Sequence, residues 1–350
     1  MSFVQLRSEL FVLDTPPCHG LPGLKMTAKR YTTPISDSQG LTLLFAHGVG
    51  THKEHWEPML RYLFLHQNSG QLHSCIREAW SFDWLNHGDA AIINKAALER
   101  RPPGDVSVSE WAAAIASFIR SPYVRDHRLV GFGHSAGSSA IMLSTREFPL
   151  REQPFIALFL IEPSMLTPEL WESHLVEEEA AIKKRMSAAL HRRHVFDTRE
   201  EAVNYFRGRK RWNELDPDVF NVFVEHGLHS VVTQNGSEKE IKLTLKCDRC
   251  HEAFAYQDIE SHLEAIDQYT RICSAVPVHI VFGSKHDYVA SYFQDCMMDV
   301  SQGRYPASVI RVPGTGHMIV QQAPEALARA ITVGLNSITR DSTPHLLHRL

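Results

Sequence analysis

The chain has 350 residues, 43% apolar and 22% charged, enough for one large domain with an insertion or for two domains, in a composition ordinary for a soluble globular protein. A net charge of −4 excludes the strongly basic balance expected of a nucleic-acid binder, so no nucleic-acid partner is expected. No apolar run reaches the roughly eighteen residues that a membrane span needs, and six scattered cysteines read as reduced thiols, not as a disulfide framework.

The opening MSFVQLRSELFVLDTPP lacks a basic start followed by a long apolar stretch, so secretion is not expected. LTLLFAHG (41–48) reads as a buried strand, VSEWAAAIASFIR (108–120) as an amphipathic helix, and HRLVGFGHS (127–135) and FIALFLIEPS (155–164) as further buried strands. Such alternation predicts an α/β fold with a mostly parallel sheet covered on both faces. From about Thr167 to Gln257 the chain reads as successive helices, with Asp197 and Thr198 as N-cap candidates and Glu179 four residues before Lys183. Strand signals return at VPVHIVFGSKHD (276–287) and ASVIRVPGTGHM (307–318), before the helical APEALARAITVGLNSI (323–338). This predicts a core in two parts, 1–164 and 263–345, interrupted by a helical lid over 165–262 and followed by a tail, 346–350.

Gly133-His134-Ser135-Ala136-Gly137 matches G-x-S-x-G between a β-rich run and a helical one, the context in which a sharp turn exposes a serine hydroxyl. A serine is a weak nucleophile at neutral pH and needs a base that is itself oriented by an acid. The expected chain order is serine, acid, histidine. His317, in a glycine-rich loop after the last strand, is the candidate base. Two acids satisfy the order, Glu162 after one strand and Asp287 after the next, and spacing does not separate them.

FAHGVGTHKEHWEPM (45–59) is expected to supply an oxyanion donor, the Val49 N–H, beside the N–H of Ala136. His47, Gly48, His134 and Trp56 are expected around the substrate. His47, His52 and His55 lack metal-ligand spacing, and KCDRCH (246–251) has no second Cys/His pair, so neither a metal nor a cofactor is expected. Ten Lys or Arg stand against three acids between Lys183 and Arg211, which reads as solvated helix faces or as a rim for an anionic substrate.

At HGVG, FDWLNHGDA, GHSAGS, LIEPSM and VPGTGHM the chain resembles the α/β-hydrolases with a helical lid, over nearly its whole length. HGVGTHKEHWEPM, DWLNHGDA, LIEPSM and LTLKCDRCHEAFAY further resemble a fungal group of toxin and secondary-metabolite biosynthesis, which includes the peroxisomal acyl-CoA hydrolase of mycophenolic acid formation. That group implies Glu162 as the acid. The wider superfamily implies Asp287, and this sequence carries both. The resemblance implies a serine hydrolase acting on an ester or an acyl-CoA thioester with an apolar acyl group. A general carboxylesterase, lipase or lactonase and a non-catalytic binding protein are the alternatives. The final His348-Arg349-Leu350 is near a peroxisomal address with histidine in place of the small first residue. The peroxisome, with an import receptor as partner, is therefore expected, with the cytoplasm as the alternative; a homodimer is a further expectation.

Overall fold

The computed structural model describes residues 4–18, 20–235 and 238–338; the tail carrying His348, Arg349 and Leu350 lies outside them. Among these residues the strands are, in chain order, β1 (Arg7–Asp14), β2 (Lys25–Thr32), β3 (Leu41–Ala46), β4 (Ile76–Phe82), β5 (Arg128–His134) and β6 (Phe155–Ile161). The chain continues with β7 (Val195–Phe196), β8 (Leu228–Asn235), β9 (Glu238–Leu245), β10 (Val278–Gly283) and β11 (Ser308–Val312). Eight of them form one sheet in the order β1-β2-β4-β3-β5-β6-β10-β11. The β1–β2 and β2–β4 pairs are antiparallel, and every neighbour pair from β4 to β11 is parallel.

The central strands are apolar without polar alternation because helices cover both faces. All seven residues of β6 are buried. Leu158 and Leu160 join the core on one face, while Phe159 and Ile161 join the core on the other. Phe45, Phe132 and Phe159 are register partners across β3, β5 and β6, and their rings stack at 4.5 and 4.7 Å between centroids. Helices Glu57–Asn68 and Pro324–Asn336 close that face; Val108–Ile119, Ala136–Ser144 and Ile259–Ile272 close the opposite one. Ser107 starts Val108–Ile119 by accepting the Glu110 N–H at 3.0 Å.

The segment between β6 and β10 is not helical throughout, which corrects the reading of its sequence. Helices such as Leu175–Leu190, Arg199–Arg207 and Pro217–His226 alternate with a three-stranded antiparallel sheet, β7-β9-β8. Phe196, Phe206, Phe220, Phe223, Leu228 and Leu245 give it a small core of its own. Lys246 ties it to the main body through Asp89.

The order of the sheet places a functional site. From β3 the chain passes to β4 on one side and then to β5 on the other. The crevice beyond the carboxyl ends of β3 and β5 is such a reversal point, where open parallel sheets bind ligands.

Candidate active site

Ser135 sits between the end of β5 and helix Ala136–Ser144 with φ 54° and ψ −121°. Side chains other than glycine rarely adopt that region, at a cost of about 1–3 kcal/mol. The turn is held by the Ser135 N–H donating to Ile161 O at 3.0 Å and by the Ser138 N–H donating to Ser135 O at 2.8 Å. Both flanking glycines are required sterically. A Cβ on Gly133 would lie 2.4 Å from Gly137 O, and one on Gly137 would lie 2.3 Å from Ala46 O.

His317, in the loop between β11 and helix Ile319–Gln322, brings Nε2 to 2.9 Å from Ser135 Oγ. Its Nδ1 is 3.2 Å from Glu162 Oε2. Glu162 follows β6 directly and also has a positive φ, 47°. Its N–H donates to Val281 O at 2.9 Å, and its Oε1 accepts the Gly283 N–H at 2.5 Å. Asp287 is exposed and reaches the same histidine elsewhere: its Oδ1 accepts the His317 backbone N–H at 2.9 Å. The two acids left open by spacing thus take different places, one on the ring and one on the main chain.

Burial pushes His317 down to about 3, and the guanidinium groups of Arg185 and Arg211 push in the same direction. Burial raises the Glu162 carboxyl, partly offset by the Gly283 N–H. The resting imidazole is therefore neutral, the form able to accept a proton. Tyr288 stacks on the imidazole at 4.7 Å and 10° between planes, which fixes the plane of the ring.

Val49 and Ala136 both line the cavity at Ser135, and neither of their N–H groups has a hydrogen-bond partner among the described residues. They are able to serve a developing negative charge on an acyl oxygen. The neighbours expected around the substrate are placed differently. His47 is buried, with Nδ1 at 2.8 Å from Gly48 O and Nε2 accepting the Trp84 N–H at 3.1 Å. His134 is buried and donates from Nε2 to His317 O at 2.8 Å. Trp56 is fully buried against Phe45. These three side chains brace the loops beneath the site, and none of them lines the cavity at Ser135. Gly48 packs against His134 and Ser135, where an added Cβ would lie 3.0 Å from the His134 ring.

A cavity opens at Ser135 under the inserted segment. Leu166, Trp171, Ile182, Val289 and Phe293 give it apolar walls, and Glu178, Arg185, Tyr256 and His262 make it polar in places. Sequence reasoning did not single out Tyr288 or His262. Adjacency to Asp287 was a signal for Tyr288; His262 carried none. Among the described residues no group of three or more His, Cys, Asp or Glu is placed to hold a metal ion, and no helix is long and apolar enough to cross a membrane.

Comparison with known proteins agrees with this architecture. The model of a family described as the alpha/beta hydrolase family matches residues 43–330. The Type I acyl-CoA thioesterase mpaH of Penicillium brevicompactum is 29% identical over 60% of this chain and 46% of its own, and mpaH' of the same fungus is 26% identical over 78% and 55%. The chain thus spans about half the length of the curated relatives it matches. Among solved structures, the peroxisomal alpha-beta-hydrolase Lpx1 from Saccharomyces cerevisiae superposes with a TM-score of 0.71 at 17% identity, over 99% of this chain and 94% of that one.

Proposed function

Since the chain belongs to the alpha/beta hydrolase family, we propose that it is a serine hydrolase cleaving an ester or thioester bond through an acyl-enzyme. The observation that carries this reading is the continuous contact from Ser135 Oγ through both nitrogens of His317 to Glu162. In this account Ser135 Oγ attacks the acyl carbon while its proton passes to His317 Nε2. Glu162 accepts the hydrogen bond from Nδ1–H and stabilises the imidazolium that forms. The N–H groups of Val49 and Ala136 receive the oxyanion. Collapse breaks the bond to the leaving oxygen or sulfur, and His317 returns the proton to it. Water activated by the same histidine then releases the acid from Ser135.

The cavity beside Ser135 is taken to hold the acyl part, its apolar walls excluding water from the intermediate. Thioesters of the acyl-CoA type are the proposed substrates, supported by the two relatives named as acyl-CoA thioesterases. Wild-type protein and Ser135→Ala, assayed on matched acyl-CoA thioesters and p-nitrophenyl esters, test this. Turnover is expected in the wild type alone, with the thioester preferred at equal acyl length. Undiminished turnover in Ser135→Ala would overturn the reading.

A further inference from the structure

Glu178, Ile182 and Arg185 fall at positions i, i+4 and i+7 of helix Leu175–Leu190, one stripe, and all three line the cavity at Ser135. Arg185 arrives there as an unneutralised cation. Among the described residues no carboxylate stands within 4.0 Å of its guanidinium. One N–H donates to Tyr288 O at 2.6 Å, and the guanidinium lies 4.5 Å from the centre of the Tyr288 ring. The rest of its donor fork, a shape suited to carboxylates, has no acceptor among those residues. His262 lines the same cavity; its Nδ1 pairs with Ser139 Oγ at 2.8 Å, and its Nε2 has no partner among the described residues. The cavity's carboxylate, Glu178, accepts the Tyr292 hydroxyl and stands about two helical turns from Arg185. An anion would therefore sit at the Arg185 end.

From this arrangement we propose that Arg185, with His262 beside it, forms a carboxylate-binding subsite, so that the preferred acyl group carries a negative charge at its far end. The inference rests on the reading of Ser135 as nucleophile and of this cavity as the acyl site. The position of Arg185 gives the subsite a second consequence. Tyr288 stacks on the His317 ring and holds the Arg185 guanidinium 4.5 Å from its own ring centre, so this cation, together with Arg211 at the same tyrosine, opposes the imidazolium that catalysis must form. A bound carboxylate offsets the Arg185 share of that opposition, so an anionic acyl group is held and also eases formation of the imidazolium.

The test compares kcat/KM for three esters: p-nitrophenyl hydrogen adipate, with the charge on the acyl side; p-nitrophenyl heptanoate, neutral and of similar length; and 4-heptanoyloxybenzoate, with the charge on the leaving side. The adipate is expected to exceed the heptanoate by about tenfold or more, the scale of a charge-assisted contact. That ratio is expected to fall towards one in Arg185→Gln and to be partly kept in Arg185→Lys. In Arg185→Gln the acid limb of heptanoate hydrolysis is expected to move to higher pH. Circular dichroism and labelling of Ser135 by a fluorophosphonate check that each variant is folded. Equal rates on adipate and heptanoate in a labelled wild type, a ratio that survives Arg185→Gln, or a preference for the benzoate would overturn the subsite alone. Failure of the wild type to label or to cleave any of the three would overturn the hydrolase reading and the subsite with it.

Discussion

Glu162 and Asp287 hold different parts of one histidine: Glu162 Oε2 stands 3.2 Å from the His317 Nδ1, while Asp287 Oδ1 accepts the His317 backbone N–H at 2.9 Å. Only the first contact can select the tautomer and stabilise a ring cation. Glu162→Gln is therefore expected to lower kcat by about 10³–10⁴. Asp287→Asn keeps a carbonyl oxygen for the same N–H and is expected to cost less than about tenfold. Steady-state rates of the two variants on one ester make the comparison, and the opposite order would give Asp287 the role.

The pH dependence follows from the depressed basicity of His317. Its pKa lies at about 3 through burial first and then the nearby guanidinium groups. A general base acts when unprotonated, so lowering its pKa extends activity towards acid. The kcat/KM profile is expected to stay flat from about pH 8 to about pH 5. A limb centred near 6.5, the ordinary imidazole value, would contradict the burial of this ring.

Gly137 tests the turn at Ser135 through stability. An added methyl would press on Ala46 O and His47 O, which are main-chain atoms with little room to yield. Gly137→Ala is expected to destabilise the fold by about 2–4 kcal/mol and to misplace Ser135. Urea unfolding measures the first effect. An unchanged midpoint would mean that the loop after β3 is not held against this helix.

Lys53 is a fully buried cation, with Nζ 2.8 Å from Asp83, 2.6 Å from Asp89 and 2.9 Å from Glu54. Removing it leaves buried carboxylates facing one another. Lys53→Met is expected to cost about 3–5 kcal/mol, and adding Asp83→Asn to that variant is expected to recover part of the loss. Thermal unfolding of the single and double variants reads this out, and equal stability of all forms would contradict it.

Much of this site could be read from the residues, because local signals place it. Gly133 to Gly137 lies between a strand and a helix in the sequence as in the structure, and Glu162 and His317 lie just beyond strand signals. Choosing between Glu162 and Asp287 was beyond spacing, since both follow neighbouring parallel strands. What separates them is the alignment of β6 with β10, where Glu162 meets Val281 O and the Gly283 N–H, contacts between distant segments. The β8–β9 hairpin was missed for another reason. LHSVVTQN and EKEIKLTL sit among strong helical patterns, and the Asn235-Gly236 pair that ends the first is a short turn signal against that background. His47, His134 and Trp56 look like site residues because they flank its motifs, yet their side chains turn inwards to hold its loops.

The most direct test of the account is covalent labelling of the wild-type protein with a fluorophosphonate, followed by peptide mass mapping. The account predicts one adduct, on Ser135, that fails to form when His317 is replaced by alanine. No adduct on Ser135 in a folded protein, or labelling that persists undiminished without His317, would contradict it.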